Sequence, residues 1–200
     1  MAHGDDKTKA SGENQPIDTR SRILSAAFRL FRKHGYHGVG LNDILAAASA
    51  PKGSLYHHFP GGKEEIGVAV VAEITRGILS LFGASRAKKT STVLMHVGEQ
   101  MSATIERTNH EICTLFTAFL AERSASPKLG EAVASAYAEM TLAIEARLKQ
   151  DGFAARAAKE RAATVVMLLE GGAMIAQAQQ SVAPFSLALK HAASLCERGD

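Results

Sequence analysis

Apolar side chains recur every three or four residues along most of the chain, which is the spacing of one face of an α-helix. The first such stripe ends at Gly35, and a short second stripe follows a glycine-dotted connection at residues 35–40. Pro51 suits the first turn of a third short helix, because its fixed φ is already helical. No strand pattern competes, so we predict an all-α fold of about nine helices.

Longer helices are predicted beyond Pro60. The chain breaks between them at Ser126-Pro127 and at Asp151-Gly152, and Pro184 opens the last helix. An alanine-rich stripe between these last two breaks predicts a long helix that ends near residue 180. The pattern therefore predicts a head of three short helices followed by a larger helical body.

Composition narrows the class of protein. The 200 residues are 46% hydrophobic and 22% charged, which suits a chain with a packed core. The stretch from Met1 to Gln15 has charges and no apolar run, so we expect a disordered tail without a secretory signal. Cys113 and Cys196 lie far apart without metal-ligand spacing, as is typical of a reduced, cytoplasmic protein.

The three short helices have the arrangement of a helix-turn-helix motif. In the third helix, Leu55 and Phe59 are four residues apart and predict the buried side. The outward side would then present donors and small residues to a DNA groove: Lys52, Gly53, Ser54, Tyr56 and His57.

Charge is concentrated in the same region. Residues 20–63 hold seven basic side chains and one acid, a balance of +6, against +3 for the whole chain. The rest of the chain is therefore net acidic, and the positive field coincides with the predicted motif. This distribution favours contact with phosphates, although a solvated basic face would give the same excess.

The order and spacing of several segments between residues 17 and 75 resemble the DNA-binding head of the TetR family. The segments are Ile23-Leu24-Ser25-Ala26-Ala27, Phe31, Gly35-Tyr36, Asp43-Ile44, Gly53-Ser54-Leu55-Tyr56-His57-His58-Phe59 and Lys63-Glu64. The run from Ala50 to Glu65 is similar to the branch that contains the lincomycin-resistance repressor. A weaker similarity to that branch extends to Leu169-Glu170-Gly171-Gly172-Ala173 and the Pro184 helix.

The resemblance implies a repressor that binds operator DNA as a homodimer and is released by a small ligand held in the body. It implies phosphate contacts from Tyr56 and Lys63, the latter near a helix start whose free amides would favour an anion. It implies base contacts from Lys52, Ser54 and His57. The full set of predicted DNA contacts is Asn42, Lys52, Gly53, Ser54, Tyr56, His57 and Lys63.

Two positions depart from the family pattern. Ser49 stands where a turn glycine is usual, so a positive φ would be less comfortable there. Val39 and Gly40 stand where hydroxyl residues commonly cap the second helix, which costs about 1 kcal/mol of capping. Neither departure breaks the motif.

The resemblance also divides the chain into a tail at residues 1–16, a DNA-binding head at 17–77 and a ligand-binding and dimerisation body at 78–200. In the body, Met beside aromatic residues suits an adaptable pocket for a hydrophobic or aromatic inducer, although ordinary core is the alternative. The predicted pocket residues are Met101, Cys113, Phe116, Phe119, Tyr137 and Met140. The predicted dimer residues, on the last two helices, are Val165, Leu168, Leu169, Gly172, Ala176, Phe185, Leu189 and Ala192.

Other functions have weaker support in the sequence. His57 and His58 are neighbours and point about 100° apart on a helix, so we expect no metal. His110 and Cys113 lack a third group that would orient a nucleophile, so we expect neither an enzyme nor a cofactor. The alternative from another class is a dimeric helical adaptor that kept the head but lost operator specificity.

Overall fold

The computed structural model describes residues 18–110 and 115–197, and this part of the chain is all-α. The predicted tail at residues 1–16 and the predicted pocket residue Cys113 lie outside the described residues. The described part contains nine helices and no strand, which confirms the predicted class. The helices are α1 Thr19–His34, α2 Leu41–Ala48, α3 Lys52–His58, α4 Gly62–Ala84, α5 Thr90–Arg107, α6 Leu115–Ala121, α7 Pro127–Gln150, α8 Ala155–Gln179 and α9 Ala183–Leu195.

Helices α1 to α3 form the head around an apolar core. Asp18 caps α1, because its carboxylate accepts a hydrogen bond from a first-turn backbone amide at 2.9 Å, which lowers the pKa of Asp18. The helix ends at Gly35, whose φ of +69° favours glycine. Phe31 lies against the rings of Tyr36 and Phe119, with centroids 5.4 and 5.6 Å away. The head core therefore includes a ring supplied by α6.

Helix α4 connects head and body without interruption. It packs on α1, α5 and α7, with the α7 contact beginning near Gly67, and it continues past the predicted boundary at residue 77. With a mean hydropathy of 1.6, it is the one described helix long and apolar enough to cross a membrane. That is weak evidence for a membrane span, because core helices have the same length and hydropathy.

Helices α5 to α9 form the body. Helix α8 packs along α9 and α7, and α5 packs on α9. The start of α5 is fixed by Asp151, whose carboxylate accepts a hydrogen bond from the Thr90 amide at 2.8 Å. Arg147 of α7 donates to the Ala87 carbonyl at 2.8 Å. These contacts hold the loop before α5 against the end of α7.

The crossing of α8 and α9 changes the predicted dimer interface. A Cβ added to Gly172 would lie 2.5 Å from the Cβ of Ala188, so this glycine permits a close crossing within one chain. Leu168 and Leu169 are partly buried. The other six predicted interface residues are buried inside the protomer, because they pack α8 and α9 against each other and against neighbouring helices: Val165, Gly172, Ala176, Phe185, Leu189 and Ala192.

Candidate DNA-binding surface and body cavity

The turn between α2 and α3 places Ser49 in a backbone conformation that is unfavourable for a residue with a side chain. Ser49 has φ 49° and ψ 46°, in the left-handed region. Its carbonyl accepts a hydrogen bond from Arg22 of α1 at 3.3 Å, which ties the turn to the helix behind it. Gly40 is the N-cap of α2 and offers no side chain, but its amide donates to the Asp43 carboxylate at 2.8 Å. One half of a capping box is therefore present, and the half that requires an N-cap hydroxyl is absent.

Helix α3 is held down by two apolar residues and exposes its other side. Leu55 and Phe59 are 0% and 1% exposed, as the four-residue spacing predicts. Pro51 is the N-cap of α3, one residue before its predicted place in the first turn. Most of the predicted DNA contacts are exposed: Asn42, Lys52, Gly53, Tyr56 and His57, with Ser54 partly buried.

These side chains form a continuous surface on two helices. Asn42 at the start of α2 and Lys52 and Tyr56 of α3 line one shallow groove between the helices. A Cβ added to Gly53 would meet nothing within 4 Å, so the backbone there is open to close approach. The arrangement offers amide, ammonium and phenol donors on a short, accessible helix, which suits the width of a major groove.

Lys63 is placed differently from the other predicted contacts. It is partly buried, and its Nζ lies 4.3 Å from the centroid of the Tyr36 ring. This burial lowers the pKa of Lys63. The amide of Gly61 at the start of α4, expected to be free for an anion, donates to the carboxylate of Glu65 at 2.7 Å. A phosphate contact from Lys63 would require its side chain to leave the Tyr36 ring.

Metal binding finds no support in the described residues. The rings of His57 and His58 have centroids 5.0 Å apart. Across residues 18–110 and 115–197, no group of three or more His, Cys, Asp or Glu side chains is placed to hold an ion. Burial raises the pKa of the Cys196 thiol to about 11, so that sulfur is an unreactive part of the core.

A partly open cavity of about 530 Å³ lies between the body helices and Phe28 of α1, and we call it the body cavity. Two predicted pocket residues, Met101 and Phe116, line it, and Met140 lines a smaller apolar space beside it. Phe119 lies instead in the core shared with the head, against Phe31 and Tyr36. The main cavity is lined mostly by apolar side chains: Phe28, Ile74, Gly77, Ile78, Ser80, Leu81, Gln100, Met101, Thr104, Ile105, Leu115, Phe116, Glu170, Ala173 and Phe185.

The predicted pocket residue Tyr137 contacts Glu170, a residue of the cavity wall that we did not predict as part of the site. Its hydroxyl donates to the carboxylate of Glu170 at 2.9 Å, and its ring packs edge-on against Phe116 with centroids 5.6 Å apart. Burial raises the pKa of both Tyr137 and Glu170. The signal available in the sequence is that Glu170 is the one acidic residue in the apolar stretch at residues 164–178.

Helix α6 connects this cavity with the head. Phe116 lies in the cavity wall, and Phe119, one helical turn later, packs on Phe31 and Tyr36 of the head. Just after α6, the Glu122 carboxylate pairs with His37 in the connection between α1 and α2. Helix α6 and the residue that follows it therefore contact both the cavity and the head.

Comparison with known proteins agrees with this organisation. Residues 23–70 match the family described as bacterial regulatory proteins, tetR family, and residues 90–191 match the transcriptional regulator LmrA/YxaF-like C-terminal domain. The HTH-type transcriptional regulator LmrA of Bacillus subtilis is 35% identical over 84% of this chain and 90% of its own length. A second Bacillus subtilis regulator, YxaF, is 30% identical over 85% of this chain and 91% of its own.

Solved structures show the same fold at lower identity. A TetR regulator from Legionella pneumophila has a TM-score of 0.78 and 20% identity, covering 90% of this chain and 98% of its own. The reduced form of E. coli NemR has a TM-score of 0.69 and 22% identity, covering 88% and 95%. With a DNA-binding head and an LmrA/YxaF-like body matched in order along one chain, this protein belongs to the TetR family of transcriptional regulators.

Proposed function

We propose that this regulator is a homodimeric repressor that leaves its operator when a lipophilic ligand occupies the body cavity. The observation that carries the proposal is the placement of α6, which has Phe116 in the cavity wall and Phe119 in the head core. A ligand that favours another position of α6 would shift the head between two states by its differential affinity for them. Such a regulator acts on the chromosome, so we place it in the cytoplasm.

The DNA-binding step of the proposal is supported by the exposed face of α3. Lys52, Tyr56 and His57 are accessible, and Asn42 extends the surface onto α2. Two heads in a dimer would present two α3 helices one DNA turn apart, roughly 34–36 Å. Phosphate contacts would supply most of the affinity, and the exposed donors of α3 would read base edges.

The dimer is supported by apolar side chains on the outer faces of α8 and α9. Four large residues there are 46–64% exposed: Met167, Met174, Ile175 and Leu187. A Cβ added to Gly171 would meet nothing within 4 Å, so α8 also presents an open backbone on this face. Two copies of the α8–α9 pair would bury these side chains in a four-helix interface. We propose this outer face in place of the interface predicted from the sequence, because most of the residues predicted there pack inside the protomer.

The first experiment separates the repressor from the adaptor. The protein would be tested for a salt-sensitive gel shift on its own upstream DNA, with and without a panel of lipophilic compounds that raise its melting temperature. We expect binding to the upstream DNA with displacement by at least one stabilising compound. Equal binding to upstream and unrelated DNA would favour the adaptor.

The second experiment tests the dimer interface. Ile175→Glu places a charge on the outer face of α8 in both copies, so an interface there would lose most of its stability. Leu142→Glu is the matched control, because Leu142 is 62% exposed on α7. Sedimentation should give a dimer for the wild type and the control, and a monomer for Ile175→Glu. A dimeric Ile175→Glu would place the interface elsewhere.

A further inference from the structure

The body cavity has one acidic side chain in walls that are otherwise apolar or neutral. Apart from Glu170, its polar lining consists of Ser80, Gln100 and Thr104. None of the lining residues within the described chain is Lys, Arg or His. Glu170 also borders the smaller apolar space, so it lies where the two spaces meet.

The Glu170 carboxylate has little internal compensation for its burial. Among the described residues it forms no ion pair, and its one hydrogen bond comes from the Tyr137 hydroxyl at 2.9 Å. A carboxylate accepts about four hydrogen bonds, so most of its accepting capacity is unused. An uncompensated acid in an apolar site is unfavourable, which is consistent with the raised pKa of Glu170.

The rings around the cavity favour the same kind of ligand as the carboxylate. Phe28, Phe116 and Phe185 line the wall. Aromatic faces attract a cation, and the attraction is stronger where water is excluded. Tyr137 packs edge-on against Phe116, and this contact holds its hydroxyl on Glu170. Apolar walls, aromatic faces and one carboxylate together complement a lipophilic cation.

We propose that the body cavity selects a lipophilic amine, with Glu170 as the counter-ion of its ammonium group and Tyr137 as the residue that positions the carboxylate. This inference rests on the proposed function and specifies its ligand. The ammonium donates to the free lone pairs of Glu170, and the apolar part of the ligand fills the space between α4, α5 and α8. A volume of about 530 Å³ is within the range of small-molecule sites. Neutral ligands of the same shape leave the carboxylate without its counter-ion, and anionic ones meet it with like charge.

The test uses three series of compounds with the same apolar part: ω-phenylalkylamines, ω-phenylalkanols and ω-phenylalkanoates with chains of four to eight carbons. Binding to the wild-type protein is measured by calorimetry at neutral pH, where the amines are protonated. We expect the best amine to bind about tenfold more tightly than the alcohol of the same length, the effect of one charge-assisted hydrogen bond. The carboxylates should bind more weakly than the alcohols.

Glu170→Gln should remove the preference for amines and leave the alcohols close to their wild-type affinity. The control is Glu99→Gln, which removes the same charge from an exposed position on α5 and should keep the preference. If Glu170→Gln does not fold, Tyr137→Phe provides the answer. This variant keeps the ring on Phe116 but removes the hydroxyl that positions the carboxylate, so the preference for amines over alcohols should fall several-fold while the alcohols keep their affinity.

Three outcomes overturn the inference: alcohols that bind as tightly as amines, an amine preference that survives Glu170→Gln, or no binding by any series. A wild-type gel shift on upstream DNA is a separate measurement. If the amine binds through Glu170 but no DNA is bound, the ligand class stands and the proposed repressor function fails. If DNA is bound and released only by compounds without a positive charge, the repressor stands and the ligand class fails.

Discussion

Phe31 in the head and Phe116 in the body are both nearly buried, at 1% and 8% exposure, but their surroundings differ. Phe31 has the rings of Tyr36 and Phe119 on it, whereas Phe116 has Tyr137 on one side and the cavity on another. Low exposure therefore describes both a closely packed ring and a ring beside an empty space. The first favours one closely packed arrangement of the head, and the second leaves space in the body for the ligand that we propose.

The largest expected effect is the difference between Phe31→Ala and Phe116→Ala. Phe31→Ala should lower the free energy of unfolding by about 3–5 kcal/mol, because it opens a cavity in a closely packed cluster. Phe116→Ala should cost about 2 kcal/mol, since part of its surroundings is already empty. Urea denaturation of both variants measures the difference. Equal costs would mean that Phe116 is an ordinary core residue and that the contrast between head and body is false.

The second prediction tests whether the crossing of α8 and α9 in the body is packed as closely as the head. In Gly172→Ala the new methyl group would approach Ala188 to 2.5 Å and the Pro184 carbonyl to 3.2 Å. We expect a loss of about 1–3 kcal/mol in unfolding free energy from overpacking.

The control for Gly172→Ala is its neighbour. Gly171→Ala meets nothing within 4 Å and should be neutral or stabilising by up to about 1 kcal/mol through helix propensity. Melting curves of the two variants, each at a protein concentration where its oligomeric state is known, give the comparison. Equal stability of the two would show that α8 and α9 separate easily and that the whole body is loosely packed.

A smaller effect concerns the head surface. Lys63→Ala should lower the slope of log affinity against log salt by about one unit if the ammonium leaves Tyr36 for a phosphate. Lys159→Ala, at an exposed position on α8, is the control and should leave the slope unchanged. DNA titrations between about 50 and 200 mM salt measure both slopes. An unchanged slope for Lys63→Ala would assign Lys63 to packing against Tyr36 within the head.

The smallest effect is in the turn of the motif. Ser49→Gly removes a side chain from the left-handed conformation and should raise the unfolding free energy by about 0.5–1 kcal/mol. Ala47→Gly, on the exposed side of α2, is the control and should lower the unfolding free energy by about 1 kcal/mol. Chemical denaturation resolves opposite signs of this size. A destabilising Ser49→Gly would show that the Ser49 side chain contributes more than its backbone strain costs.

The helices were predictable because each depends on local spacing. The structure has each of these features where the pattern placed it: the end of the first helix at Gly35, the buried pair Leu55 and Phe59, and the breaks at Pro127 and Pro184. The outward face of α3 followed from the same spacing. Here the periodicity alone was sufficient, because a residue on the opposite side of a short helix from its buried residues is exposed.

Partners far apart in the sequence were not predictable. The spacing put Val165 and Phe185 on apolar faces, but it does not say whether such a face meets a second copy or the next helix of the same chain. We predicted both Phe116 and Phe119 as pocket residues, although Phe116 lines the cavity and Phe119 packs in the head core. Glu170 was visible as a charge in an apolar run, but its partner Tyr137 lies 33 residues earlier. Only the tertiary structure brings these two together.

The continuity of α4 has a consequence for exchanging heads among related regulators. Any join between a foreign head and this body falls inside one helix, close to Gly77, so the number of residues between them sets their relative orientation. One inserted residue would rotate the head by about 100° and move it about 1.5 Å along the axis. In the dimer that we propose, a hybrid with the correct operator contacts but one residue too many would hold its two α3 helices out of phase with the DNA. Hybrid regulators built on this body should therefore be joined by aligned position within α4, with its length unchanged.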